Sequence, residues 1–213
     1  AYGLQLSALG DRIGWSLGAM EIQDDFDPAL GFVPRPGIRR YSGSLEYQPR
    51  PEPGGIRQLE FGLGTAIVTD TSGELETWET EFQPFGIFFE SGEAALIEID
   101  HIHDELLEDF EIRPGITVDA GQYDFARARL ELETAEKRKL SAALTLEAGD
   151  FFDGERERYA VGLLWQPGPL FHGEVRYERN DISLPDGAFE TQLAQLRANL
   201  SFTPELSWNN FLQ

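Results

Sequence analysis

The sequence predicts an all-β protein, an antiparallel meander of about twelve long strands. Three observations predict it: apolar and polar residues alternate with period two and no helix-spaced stripe competes, short polar turns recur along the chain, and the runs between turns exceed the ~5–6 residues usual in globular sheets. The clearest stretch is Ala126 to Gly149. Leu140, Ala142, Leu144, Leu146 and Ala148 share one parity, and Lys139, Ser141, Ala143, Thr145 and Glu147 the other. Just upstream, Ala126, Ala128, Leu130 and Leu132 oppose Arg127, Arg129, Glu131 and Glu133. The tight polar turn Ala135-Glu136-Lys137 joins the two runs into a hairpin, each with one greasy and one wet face.

The rest of the chain repeats that unit. The predicted strands are Tyr2–Leu9, Ile13–Gln23, Ile38–Tyr47, Ile56–Thr69, Glu76–Glu90, Ala94–Ile102, Gln122–Thr134, Lys139–Ala148, Arg158–Trp165, Phe171–Arg179, Thr191–Phe202 and Leu206–Leu212. Short turns fall near Gly10-Asp11, Gln48 to Gly55, Ser91-Gly92-Glu93, Ala135 to Lys137, Gln166 to Pro169, and Thr203-Pro204-Glu205. They alternate with longer, more acidic links at Asp24 to Gly37, Asp70 to Gly73, His103 to Gly121, Gly149 to Glu157 and Asn180 to Phe189. Leu59, Phe61, Leu63 and Ile67 oppose Glu60, Gly62, Gly64 and Ala66, and Phe171, Val175 and Tyr177 oppose Glu174, Arg176 and Glu178.

Composition bounds the function. With 17 Lys and Arg against 38 Asp and Glu, the chain of 213 residues carries a formal charge of -21. Phosphate binding needs the opposite sign, so nucleic acid is not an expected partner. The absence of Cys excludes disulfides and thiolate metal sites. No apolar run reaches the ~20 residues of a membrane helix. Ala1-Tyr2-Gly3-Leu4 already reads as strand, so the expectation is a mature or truncated chain.

Alternation alone fits two architectures. In a soluble sandwich the apolar face builds a core; in a membrane barrel it meets lipid while mixed charges line the lumen. Strand lengths near the ~9–11 residues of a tilted membrane strand, and alternating short and long links, favour the barrel. Trp15, Tyr47, Trp78, Trp165 and Trp208 near strand ends are compatible with interfacial girdles. On this reading residues 1–213 form one barrel domain with an unpaired strand at each end, about fourteen strands or more when complete. The alternative is a soluble, acidic, secreted β-sandwich with a glycan-binding or other binding role.

Five stretches carry a resemblance: Phe26 to Tyr41 (FDPALGFVPRPGIRRY), Gln58 to Leu63 (QLEFGL), Pro114 to Phe125 (PGITVDAGQYDF), Gly149 to Arg156 (GDFFDGER), and Leu184 to Trp208 (LPDGAFETQLAQLRANLSFTPELSW). In them the chain resembles the C-terminal barrel of an uncharacterised family of bacterial outer-membrane proteins, domain of unknown function 5916. Members typically carry a carbohydrate-binding-module-like domain ahead of the barrel. The resemblance implies a bacterial outer-membrane location, lipid as a partner, a role as anchor or porin-like passage, and a link to carbohydrate binding or uptake through an N-terminal sugar-binding domain or other chains. It offers no reaction and no catalytic residues, and no enzyme activity is expected. Two departures stand out. The sugar-binding-like domain is absent here, and the chain stops at Phe211-Leu212-Gln213 where relatives continue.

Several constellations invite chemistry, and each has a plainer reading. His101 and His103 share one side of a strand beside Asp104 and Glu105, a conceivable metal set; a solvated rim pair is the plainer account. Asp24, Asp25 and Asp27, or Asp104, Glu105, Glu108, Asp109 and Glu111, offer hard oxygens to calcium, but without the ligand-and-glycine spacing of a calcium loop. Gly62, Gly64 and Ala66 lie inside a strand with no following helix, so close packing accounts for them better than a phosphate loop. Three histidines among many acids argue no Ser-His-Asp grouping, which leaves a rim hydrolase the least favoured reading. Arg127, Arg129, Glu131 and Glu133 read as a ladder that stiffens the wall, with pore tuning as the sharper alternative. No catalytic, cofactor or metal site is assigned.

Overall fold

The computed structural model describes residues 1–26, 36–52, 54–203 and 205–213. It contains β1 (Tyr2–Leu9), β2 (Ile13–Ile22), β3 (Ile38–Tyr47), β4 (Ile56–Asp70), β5 (Leu75–Phe89), β6 (Ala94–Leu106), β7 (Phe110–Arg113), β8 (Ile116–Val118), β9 (Gly121–Glu133), β10 (Leu140–Phe151), β11 (Gly154–Gly168), β12 (Phe171–Leu184), β13 (Gly187–Thr203) and β14 (Leu206–Leu212). Twelve of these form one antiparallel sheet in chain order, and β7 with β8 forms a separate small hairpin inside the link from β6 to β9. The all-β meander expected from the alternation is therefore the architecture. β1 and β14 each pair on one side only and not with each other, so the sheet is open.

The register carries the apolar parity across the sheet without a slip of face. Leu6 pairs with Leu17, Leu45 with Leu63, Leu63 with Phe82, and Phe82 with Ile99. Further along, Leu130 pairs with Leu146, Leu144 with Val161, and Val175 with Leu196. A one-residue slip would turn each strand's apolar set to the other face, so this continuity is what period-two sequence specifies. Bulges at Glu60/Gly62 and Phe82/Phe85 interrupt the β4–β5–β6 ladder and then restore it.

Burial is inverted relative to a globular protein. Leu6 is 52% exposed, Leu63 47% and Val161 41%, whereas on the opposite face the Glu147 side chain is 5% exposed. Val118, Phe125, Ala135 and Leu184 are the buried apolar residues among those described.

Two predicted links are corrected. Gly149 to Glu157 and Asn180 to Phe189 are not long loops: β10 and β11 close through residues 152–153, and β12 and β13 through 185–186. Apolar alternation stops there but the backbone ladder does not. Glu155, Arg156, Glu157 and Arg158 pair with Ser183, Ile182, Asp181 and Asn180, so polar cross-strand pairs continue the hairpin past its greasy part. The predicted strand Ala94–Ile102 likewise runs on to Leu106, and the link after it contains the β7–β8 hairpin.

Candidate functional site

The residues of polar parity on β6, β9, β10, β11 and β12 build one connected ion network. Glu147 on β10 is its hub. Arg129 Nε donates to Glu147 Oε2 at 3.3 Å, Arg158 Nη1 lies 3.7 Å from the same oxygen, and Arg156 Nη1 and Arg127 Nη1 lie 3.7 and 3.9 Å from Oε1. Cross-strand register explains the convergence: Glu147 pairs with Arg129 on one side and Arg158 on the other, and Gly149 with Arg127 and Arg156. Outer members complete the ladder. Arg129 reaches Glu98 at 2.8 Å and Asp100 at 3.1 Å, Arg158 donates to Glu178 at 2.9 Å, and Arg156 donates to Asn180 Oδ1 at 2.9 Å. A carboxylate this buried persists because guanidinium groups surround it.

Gly149 sets the shape of the network. A Cβ there would lie 2.2 Å from the Ala126 carbonyl oxygen, and its φ is 154°, so only glycine fits this close approach of β9 and β10. The gap it leaves separates Arg127 from Arg156. Arg127 stacks over the Phe125 ring at 5.7 Å, and its buried Nε has no hydrogen-bond partner among the described residues. Beyond the hub, Ser141, Ala143, Thr145, Ala160 and Gly162 floor a groove of about 320 Å³ walled by Arg158, Arg176 and Glu178. Small residues in register across β10 and β11 make this depression, since Ala143 pairs with Gly162.

The opposite end of the polar face is apolar and aromatic. Phe125 lies 5.4 Å from Phe152 and 6.4 Å from Phe151, and Tyr123 lies 5.3 Å from Phe152. Phe152 has φ 53°, the one non-glycine in the left-handed region among the described residues, and its neighbours' rings hold it there. Over this end sits the β7–β8 hairpin. Thr117 N donates to Asp186 Oδ2 at 3.3 Å, and the Arg113 guanidinium lies 4.7 Å over the Phe189 ring.

The residues singled out from sequence separate into those the fold brings together and those it disperses. Arg127 and Arg129 join the hub, while Glu131 and Glu133 continue the polar face toward the groove. His101 and His103 do share a face, but it is the apolar one. His101 packs edge-on against Trp78 at 6.1 Å, and His103 Nδ1 contacts Asp124 Oδ1 at 2.9 Å, so the two rings serve different partners. The acids of the β6–β9 link act separately: Asp104 accepts from Thr77, Glu105 from Gln122, Asp109 from the Ala120 amide, and Glu111 from the Gly115 amide. The first two bond across paired strands and the last two fasten the link, so none are converging ligands. Asp24 accepts from Thr71 at 3.5 Å, and Asp27 lies outside the described residues. Gly62 and Gly64 sit inside β4 opposite Gln83 and Glu81, the close packing expected of them.

Sequence reasoning missed Glu147 as hub and Arg156, Arg158 and Glu178 as its continuation. The alternation Glu155-Arg156-Glu157-Arg158 is the available signal, cut by the expected link Gly149 to Glu157, which leaves only Arg158 in a predicted strand. A carboxylate trio of Glu81, Glu98 and Asp100 has ligand atoms within 4.8 Å of one another, but Arg129 already neutralises two of the three. Comparison of the chain with protein-family models, curated proteins and solved structures finds no match.

Proposed function

We propose that this chain forms wall strands of a bacterial outer-membrane β-barrel, its apolar face toward lipid and its polar face toward a lumen, acting as an anchor or a passage. The observation that carries the reading is the layout of the apolar face. From Leu140 to Ala148 on β10 the greasy band runs nine residues, within the ~9–11 residues of a tilted membrane strand. Aromatic residues bound it on both sides. Trp15, Tyr47, Trp165 and Trp208 lie on that face toward the short turns, and Tyr2, Tyr41, Trp78 and Tyr159 toward the other end. All 4 Trp and four of the 6 Tyr of the chain fall into these two rows, where amphipathic rings favour a water–hydrocarbon boundary. Beyond them the same face turns charged at Arg179, Asp181 and Glu190, with Arg179 paired to both acids.

Energetics supports the same reading. Each fully buried Leu, Val or Phe is worth roughly 1.5–3 kcal/mol, and a whole face of them in water forgoes that stabilisation. Lipid supplies the apolar surroundings, and the free edges of β1 and β14 would need strand partners in a bilayer. Any carbohydrate link rests on the resemblance alone.

The test is where the tryptophans sit. Refolded into vesicles of brominated lipid, the protein should lose Trp fluorescence from Trp15, Trp78, Trp165 and Trp208, most strongly with bromines near the interface. A chain that stays monodisperse without detergent or lipid, with unquenched tryptophans, overturns the proposal.

A further inference from the structure

We propose that the β7–β8 hairpin is the size-determining constriction of the passage, folded back over the polar face and clamped to the β12–β13 turn; this rests on reading that face as the lumen. Residues 107–120 leave β6 and return to its neighbour β9, so a link with no further role could close above those two strands. Instead it reaches across β10 and β11 to the β12–β13 turn, about 14–19 Å at ~4.8 Å per strand. There the Thr117 amide meets Asp186, Arg113 covers Phe189, and Ile116 lies over Gly187, where a Cβ would be in ordinary contact at 3.4 Å from its Cδ1.

Parity gives the side on which this happens. Gly187 and Phe189 share the parity of Gln195, which pairs with Arg176, and Phe125 shares that of Arg127 and Arg129. The hairpin thus meets the β12–β13 turn on the polar side of the sheet, not on the apolar side. Burial supplies the clamp's driving force. Val118 on the hairpin is 1% exposed, and Phe125 and Leu184, of polar parity on β9 and β12, are 6% exposed each; these are three of the four buried apolar residues among those described. An apolar plug is otherwise out of place on a face of arginines and carboxylates. It is there because a segment folded in from above needs something to pack on.

The next rung beneath this plug is Arg127–Gly149–Arg156. A solute entering from this end therefore passes the hairpin before it meets the guanidinium groups, and the hairpin sets the size limit while the ladder sets the charge environment.

The full chain, reconstituted in planar lipid bilayers, tests this with three variants. Replacing residues 110–118 by a short Gly-Ser linker should raise conductance severalfold and admit larger neutral polymers. Pro114→Cys, at the exposed hairpin tip in a chain without native Cys, should lose conductance when a bulky thiol reagent is attached, and serves if the deletion fails to fold. Thr117→Cys with Asp186→Cys should be joined by a short bis-thiol cross-linker with conductance unchanged. Unchanged conductance and polymer cut-off in both the deletion and the tip variant overturn the constriction while leaving the passage standing. Failure of the pair to cross-link overturns the docking. A parent chain that folds in lipid yet conducts nothing, with or without the hairpin, overturns the passage and the constriction together.

Discussion

The polar face has two halves that share one apolar face but hold themselves together differently. On β2, β3 and β4 it is made of small residues: Gly14, Ser16 and Gly18 face Ser42, Ser44, Gly62 and Gly64, and the strands are stitched by one short Ser16–Ser44 hydroxyl bond of 2.8 Å. On β6 and β9 to β12 it is made of long arms, Arg127, Arg129, Arg156 and Arg158 closing on Glu147. The apolar face is uniform because its surroundings are uniform. The polar face is not, because each half answers to what lies opposite it. Small residues leave bare backbone and space, and long charged ones fill space and lock neighbouring strands together.

The strongest way to break this contrast is to remove the hub. Glu147→Ala leaves guanidinium groups of four arginines without their shared anion, and the expected destabilisation is about 3–5 kcal/mol, as for a buried ion pair stripped of one partner. Ser44→Ala in the other half loses one hydroxyl bond and should cost about 1 kcal/mol. Urea unfolding from lipid vesicles measures both. Equal losses would mean that the ladder contributes no more than ordinary polar contacts.

The apolar face should show no such contrast. Leu63→Arg on β4 and Leu144→Arg on β10 should each cost roughly 2–4 kcal/mol if they lie near the middle of the bilayer. Glu60→Arg and Thr145→Arg, of polar parity on the same strands, should be mild. A large difference between Leu63 and Leu144 would show that the two halves do not share one environment, and tolerance at both would remove lipid from the account.

How much of this was legible depended on which signal the residues carried. Strand existence and facing were readable because period-two alternation is a local property, and Leu140 to Ala148 states it outright. Strand ends were not, because past Ala148 and Arg179 the apolar parity gives way to charges on both faces, and only cross-strand partners distant in sequence show that pairing goes on. Arg127 and Arg129 could be named as a ladder from their own strand. Glu147 could not, since its role depends on two neighbouring strands whose register the sequence does not print. The β7–β8 hairpin was hidden for a related reason: Val118 looks like any loop valine until the fold leaves it 1% exposed.

The smallest expected effect sharpens the contrast at the turns. In the small-residue half, β4 and β5 are closed by Asp70, whose carboxylate accepts from the Ser72 hydroxyl at 2.7 Å and the Glu74 amide at 2.7 Å, with Gly73 at φ 96° completing the turn. The Ser72 hydroxyl first, then the backbone amide of Glu74, hold the Asp70 carboxyl below the usual carboxylate range. A carboxyl whose pKa is lower folded than unfolded stabilises above its unfolded value, ~3.9 for Asp, and that stabilisation is lost as pH falls through the lower folded value. The turn should therefore be intact at neutral pH and loosen only in acid below about pH 4. Because Asp70 is half-buried in a surface turn and its partners are Ser72 and Glu74 of the same turn, the change should be local. Hydrogen exchange at the Glu74 amide should quicken in acid beyond its intrinsic pH dependence, while amides of β10 beside Glu147 keep their protection. Asp70→Asn should weaken that pH response at Glu74 and leave β10 as it was. If β10 loosened in step with the turn, the two halves would be one cooperative unit, and the separation between a turn-fastened half and a ladder-fastened half would fail.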